Sequence, residues 1–332
     1  MARQLKVAVQ MDPIDTISID ADSTFALMLE AQKRGHTLWH YEVRHMSLHE
    51  GVRRAGERRE ERLLARAHPV TVQRVARDHY RFDQPVLLDL STMDVVLMRQ
   101  DPPFDMAYIS ATHMLEHIHP RTLVVNDPAA VRNAPEKLLV THFPELMPPT
   151  MVTWDIEAIR RFRAEHKDIV VKPLYGNGGS GVFRIKPDDE NLGALLEIHF
   201  ARSREPLMFQ RYEPAVRRGD KRIILVNGEP MGVVNRVPAE GEARSNMHVG
   251  GRPEKCTLSA RDREICAALG PSLRDQGLLF AGIDVIGEWL TEINVTSPTG
   301  IQEIDRFDGI SIEAKIWDEI EAKIATDGRT AH

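Results

Sequence analysis

A chain of 332 residues with a net charge of −6 at pH 7 and 42% hydrophobic content can bury a large core and divide into two or three domains. The negative balance argues against general nucleic-acid binding, and no apolar run approaches the ~20 residues of a membrane span. The two cysteines, Cys256 and Cys266, lack zinc-ligand spacing and read as reduced thiols, so a cytoplasmic protein is expected.

LKVAVQM (5–11) predicts a buried strand. Asp22 or Ser23 then caps a helix with Phe25, Met28 and Leu29 on its apolar stripe, and Gly35 ends it. TLWHYEV returns as a second strand, and this spacing predicts a right-handed βαβ unit. The locally basic stretch 53–81 carries Glu57, Glu60 and Glu61 among its arginines and reads as a solvated face. VVLMR (95–99) and TLVVN (122–126) follow as later strands of the same α/β domain. Pro128, Pro135, Pro144, Pro148 and Pro149 then punctuate short helical pieces, which places a domain border near residue 128.

From Ile169 the predicted strands come as antiparallel hairpins, giving an α+β second half. IVVKP and GVFRIK flank a glycine-rich loop, RIILVN and PMGVVNRV flank Asn227-Gly228, and AGIDVI and LTEINV flank a loop at 287–289. Ile312, Ile316, Ile320 and Ile324 recur every four residues with Trp317 beside them, which predicts a helix docked on the body of the protein.

Gly176, Gly178 and Gly181 match G-x-G-x-x-G, but a strand follows where a dinucleotide fold needs a helix N-terminus. A Walker loop fails too, since no Gly-Lys-Ser/Thr closes the run. The remaining readings are a long ligand-free turn and a mobile hairpin tip whose N–H groups fold over phosphates, with Lys172 adding a point charge. Glu292 and Asn294, two apart on a strand, share a face, and a three-residue loop would set Asp284 opposite Glu292. Three oxygen donors without sulfur or imidazole suit a hard ion such as Mg2+; a ligand-free polar strand face is the alternative. Arg222, Arg236, Arg244 and Arg252, on or between the hairpins, fit a pocket for carboxylates and phosphoryl oxygens better than four unrelated surface charges.

Together, VAVQMDPI, MRQDPPFD, NDPAAVRNAPEKLL, IVVKPLYGNGGSGVFRI, GDKRIILVNGEP and GIDVIGEWLTEINVTSPTGIQEI resemble the ATP-grasp ligases, and within them the bacterial glutathione synthetases. The resemblance implies an ATP-grasp fold: an N-terminal Rossmann-like α/β domain (1–128), a central subdomain with the glycine-rich lid (129–206) and a C-terminal subdomain (207–325) with the metal and substrate site. It implies a ligase that joins γ-glutamylcysteine to glycine using ATP and Mg2+, with Mn2+ as a substitute, in a homodimer or homotetramer. Carried over by position, Lys137, Lys172, the loop Gly176, Asn177, Gly178, Gly179, Ser180 and Gly181, and Gln210, Tyr212 and Asp220 would meet the nucleotide. Asp284, Glu292 and Asn294 would hold the metal. Arg222, with Lys172, would be catalytic; Arg222, Arg236, Arg244, Arg252, Ser297 and Thr299 would meet the substrates. Another ATP-grasp carboxylate–amine ligase and a non-catalytic ATP-binding regulator are the competing functions.

Overall fold

The computed structural model describes residues 3–50, 61–240, 244–245 and 250–326. The first sheet starts with β1 (Lys6–Gln10), α1 (Ser23–Lys33) and β2 (Thr37–Tyr41), and β1 and β2 pair in parallel as a βαβ unit should. Asp22 caps α1 by accepting from the Phe25 N–H at 2.6 Å, and Gly35 takes the positive φ of 84° just past its end. β3 (Met46–Glu50), β4 (Glu61–Val72), β5 (Tyr80–Phe82) and β6 (Val86–Asp89) then form an antiparallel extension. The sequence pattern does not predict it. Of the basic stretch, residues 53–60 lie outside the described residues, whereas 61–72 are one long strand. β7 (Val95–Met98) and, after α2 (Met106–Glu116), β8 (Leu123–Val125) complete a sheet ordered β3-β4-β2-β1-β7-β8.

Short helices α3 (Pro128–Arg132) and α4 (Glu136–Leu139) lead into a second sheet. It contains β9 (Thr150–Thr153), β10 (Ile169–Pro173), β11 (Phe183–Ile185) and β12 (Leu207–Arg211), in the order β11-β10-β12-β9. α5 (Ile156–His166) and α6 (Leu192–Arg202) cover it, burying Ile159, Leu196, Val171 and Phe209 together.

The third sheet, β15-β14-β13-β16-β17, is antiparallel throughout. β13 (Asp220–Val226) and β14 (Glu229–Val237) are joined by Asn227-Gly228 at φ 49° and 82°, the geometry a two-residue hairpin demands. β15 (Arg252–Lys255) and α7 (Ala260–Asp275) precede β16 (Phe280–Ile286) and β17 (Trp289–Asn294). The last hairpin departs from expectation: its turn has two residues, Gly287-Glu288, and a bulge after Asp284 absorbs Thr291 on the partner strand. The bulge restores the pairing of Asp284 with Glu292, so the expected juxtaposition is reached by another route.

α8 (Ile301–Asp308) and α9 (Ile312–Thr326) follow the third sheet, yet α9 packs on the first. Its isoleucines join Phe25, Leu27 and Met28 in one core, and the Trp317 indole donates to the Leu27 carbonyl at 2.9 Å. Asn126 ties the first sheet to the third: its amide donates to the Phe280 and Val295 carbonyls and accepts from the Phe280 N–H, each at 2.8 Å.

Where α8 meets α9, burial and the neighbouring Glu313 carboxyl push Asp305 up to about 8. A carboxyl with a raised native pKa binds its proton more tightly folded than unfolded, so its stability contribution decays as pH rises from about 4 to 8. Asp305→Asn should therefore melt above wild type at pH 8, by about 1–2 kcal/mol after allowance for partial exposure, with the gain shrinking toward pH 5. Thermal melts at the two pH values check this; an equal shift at both would deny that Asp305 titrates in this range.

Candidate active site

Two adjoining cavities meet where the second and third sheets face each other. The first is lined by Lys137, Lys172, Gly176, Gly178, Gly179, Ser180, Gln210, Tyr212, Asp220, Arg244 and Asp284, and the second by Asn177, Arg222, Arg236, Asn294, Ser297 and Thr299. Glu136, Gly178 and Glu292 line both. Most residues singled out in the sequence therefore converge, although they come from six strands, a short helix and four loops.

The glycine-rich segment is a hairpin tip, since Ile169 pairs with Ile185 and Val171 with Phe183. Below it, β10 puts Lys172 in the interior at 7% exposure. Its ammonium donates to Gln210 Oε1 at 3.1 Å and stands 3.9 Å from Glu292. Burial lowers its proton affinity, outweighing the pull of Glu292. Lys137, from α4, donates to Glu136 and to the Gly176 carbonyl at 2.7 Å, and lies 3.8 Å from Glu292. Burial acts against its charge as well, but Glu292 and Glu136 prevail and raise it. Two ammonium groups thus project beneath the loop, as phosphate recognition requires. Arg244 reaches the loop from the other side, donating to the Gly179 carbonyl at 3.4 Å. Tyr212 lies under Arg184, whose guanidinium carbon is 3.6 Å from the ring centre.

The third sheet supplies the opposing charges. Arg222 grips Asp284 with two hydrogen bonds, Nε to Oδ1 at 2.5 Å and Nη2 to Oδ2 at 3.0 Å, and also donates to the Thr299 carbonyl at 3.2 Å. Arg236 reaches Asp284 at 3.0 Å and Asp220 at 2.6 Å. Asp284 is 2% exposed; burial opposes its charge, yet the two guanidinium groups hold it well below the usual carboxylate range. Asp220 goes the other way. Burial, reinforced by Asp284, pushes it up to about 6 despite Arg236 and the Ser245 hydroxyl, which donates at 2.7 Å.

Asp284 and Asn294 approach each other, with Asn294 Nδ2 3.5 Å from Asp284 Oδ2. Glu292 Oε1 faces both lysines just beyond hydrogen-bond length, which leaves it free to accept another ligand. These hard oxygen donors fit a divalent cation such as Mg2+. Gly300 closes the substrate side: its φ of 115° suits glycine, and a side chain there would press on Arg222 Cγ at 3.3 Å.

Not everything converges. Arg252 sits at the start of β15 with its side chain 74% exposed and paired to Glu254, outside both cavities. Conversely, the sequence reading passes over Glu136, which burial and the charge of Glu292 push up to about 7, and over Arg99 and Asp12, which line the second cavity. Their signal was position: both follow parallel strands at the carboxyl edge of a sheet, where open α/β folds bind ligands.

The model of the prokaryotic glutathione synthetase N-terminal domain matches residues 5–132, and that of the prokaryotic glutathione synthetase ATP-grasp domain matches 136–309. The chain belongs to the prokaryotic glutathione synthetase family. Members of this family are ligases that use ATP and a divalent metal, and this chain is an enzyme of that kind. It is 58% identical to the glutathione synthetase of Brucella melitensis biotype 1 over 96% of its own length and 99% of that protein's. It is 54% identical to that of Agrobacterium fabrum (97% and 98% covered) and 44% identical to that of Vibrio cholerae (96% and 98%). Among solved structures, the D-cycloserine synthetase DcsG shares the fold at TM-score 0.62 and 16% identity, with 98% of this chain and 100% of that one covered. A Chryseobacterium gregarium RiPP-associated ATP-grasp ligase, in complex with ADP and a leader and core peptide, does so at TM-score 0.63 and 16% identity (96% and 97%). Among the described residues, no helix is long and apolar enough to cross a membrane.

Proposed function

We propose that the protein forms glutathione by joining the cysteinyl carboxylate of γ-glutamylcysteine to the amine of glycine, with ATP cleaved to ADP and phosphate. The observation that carries this is the coincidence of near-full-length identity to glutathione synthetases with two buried lysines beneath a glycine-rich hairpin, facing a guanidinium-held carboxylate.

A carboxylate and an amine do not condense unaided in water. The γ-phosphoryl group passes to the cysteinyl carboxylate, the glycine amine attacks the acyl phosphate, and phosphate leaves with the electron pair of the broken C–O bond. No side-chain nucleophile is needed, and the protein's work is positioning and charge neutralisation. Lys137 and Lys172 bind the phosphates, Gln210, Tyr212 and Asp220 hold the nucleoside end, and residues 176–181 close over it and keep water from the acyl phosphate. Arg222 orients the reacting carboxylate, while Arg236 and Arg244 bind the peptide substrate and Ser297 and Thr299 the glycine end. Asp284, Glu292 and Asn294 would hold Mg2+, or Mn2+ in its place, which when bound neutralises charge on the transferred phosphoryl oxygens. Arg252 takes no part unless the chain around it moves. We read the chain as three units, 1–128, 129–206 and 207–325, working as a symmetric homo-oligomer in the cytoplasm on small molecules alone.

Phosphate release from ATP and Mg2+ tests this. It should require γ-glutamylcysteine and glycine together. Release supported by a different acid and amine would leave the nucleotide and metal assignments standing and overturn the substrates; no release with any pair would favour an ATP-binding regulator.

A further inference from the structure

The second sheet sorts its side chains by parity. Ile169, Val171, Ile185 and Phe209 point into the core beneath α5 and α6. Val170 and Gln210 lie on the opposite face and line the first cavity. Arg184 pairs with Val170 and so shares that face. Asp168, two residues before Val170, and Tyr212, two after Gln210, extend it.

The ladder holds residues 207–211 between β9 and β10 and stops there. Tyr212 is the first residue beyond it, and its position is set by contacts outside the ladder. Its N–H donates to the Asp168 carbonyl at 2.9 Å. Its ring is covered by Arg184, whose guanidinium carbon stands 3.6 Å from the ring centre. That is van der Waals contact distance, so the cation lies directly over the middle of the ring. Asp168 in turn grips the guanidinium twice, accepting from Nε at 3.0 Å and from Nη2 at 2.6 Å. One aspartate thus holds the main chain of Tyr212 directly and its ring through Arg184.

Ion pairs as open as this one, with side chains 24% and 29% exposed, add little to stability. A bidentate and stacked guanidinium instead fixes direction, because its planar fork permits few orientations. Tyr212 lines the first cavity and Arg184 does not, so the ring stands between the guanidinium and the space for the nucleotide. The bonds that hold Lys137 and Lys172 beneath the lid do not involve Arg184.

We propose that Arg184 is the positioning residue of the base site: oriented by Asp168, it sets the Tyr212 ring and the chain leaving β12 in the stance that receives the purine of ATP. This rests on the assignment of Gln210, Tyr212 and Asp220 to the nucleoside end. Arg184 touches no reacting atom, so its loss weakens the hold on the base and spares both the phosphate contacts and the chemistry.

The test compares ATP with inorganic triphosphate, which keeps the phosphates and lacks the base. Arg184→Met should raise KM for ATP roughly 10-fold, with kcat within about 2-fold of wild type. The inhibition constant of triphosphate against ATP should move less than about 2-fold in the same variant. Arg184→Lys keeps the charge without the planar fork, and its KM should stay within about 3-fold of that of the methionine variant. Asp168→Asn leaves the carbonyl that Tyr212 uses and should also raise KM for ATP; added to Arg184→Met it should cost no more than about 2-fold further, since both act through one ring. It also carries the comparison with triphosphate if Arg184→Met melts low. Equal weakening of ATP and triphosphate, or a fall in kcat at unchanged KM, would mean that Arg184 serves the lid or the fold. A lysine variant that matches wild type would mean that charge alone suffices, and any of these results overturns the proposal. Tyr212→Leu separates the two levels of failure. If it raises KM for ATP and Arg184→Met does not, this proposal falls alone; if neither does, the nucleoside assignment falls with it.

Discussion

Asp284→Asn should lower turnover by on the order of 1,000-fold, because one carboxylate aligns both Arg222 and Arg236 and is also an assigned metal ligand. It should also destabilise the fold. The substitution keeps the shape but strips the shared counter-charge from two buried guanidinium groups, a loss that costs about 3–5 kcal/mol in comparable buried pairs. A fall of roughly 10 °C in melting temperature is the expected reading. Since the native pKa of Asp284 lies below its unfolded value, the stability it contributes is complete above the ordinary carboxylate range and is lost only as pH falls through the native value. The deficit should therefore stay constant from pH 7 to 8, above the region near 6 where Asp220, raised in part by Asp284, exchanges its own proton. A variant that melts like wild type would mean that Asp220 alone balances both arginines.

Lys172→Met should separate binding from folding. Methionine fills the volume of the lysine stem, and removing a desolvated ammonium relieves a burial cost, so the melting temperature should stay within a few degrees of wild type. ATP affinity should fall by roughly 10- to 100-fold, the worth of a charge-assisted contact to phosphate. Isothermal titration with ATP and Mg2+ measures it; unchanged affinity would remove Lys172 from the nucleotide site. Lys137, already held by Glu136 and the Gly176 carbonyl, would then be the residue that meets the phosphates.

The parts of this fold that were legible in the sequence are those fixed by local rules. Asn227-Gly228 announced its turn, Asp22 or Ser23 a cap that falls to Asp22, and the isoleucine spacing from 312 its helix. The facing of Asp284 and Glu292 followed from alternation along two strands, although the turn length was misjudged because a bulge compensates for it. Strand β4 was hidden for a physical reason. Leu63, Ala65 and Ala67 point inward, but beyond Pro69 the buried residues are Val70 and Val72. The alternation changes parity midway, the strand passing from one set of partners, β3 and β6, to another, β2 and β5. A period-two search sees two fragments, and Arg62 and Arg66, alternating with the inward residues, make the first look solvated.

In the site, residue types in motifs were legible and long-range electrostatics were not. Nothing local says that Arg236 binds Asp220 as well as Asp284, that Glu136 is buried beside Glu292, or that Arg252 points away to Glu254. Those facts depend on how three sheets are set against one another. Even a full family resemblance does not supply them, because it transfers roles without transferring neighbours.

The packing of α9 against α1 bears on how the protein is made. The apolar face of Phe25, Leu27 and Met28 is among the first to leave the ribosome, whereas the helix that covers it is translated after all three sheets. The opening βαβ unit must therefore wait through nearly the whole of synthesis with its outer face uncovered. A nascent-chain arrest before residue 312 should yield a species that chaperones hold and proteases cut near α1, and one that becomes resistant only when Trp317 arrives.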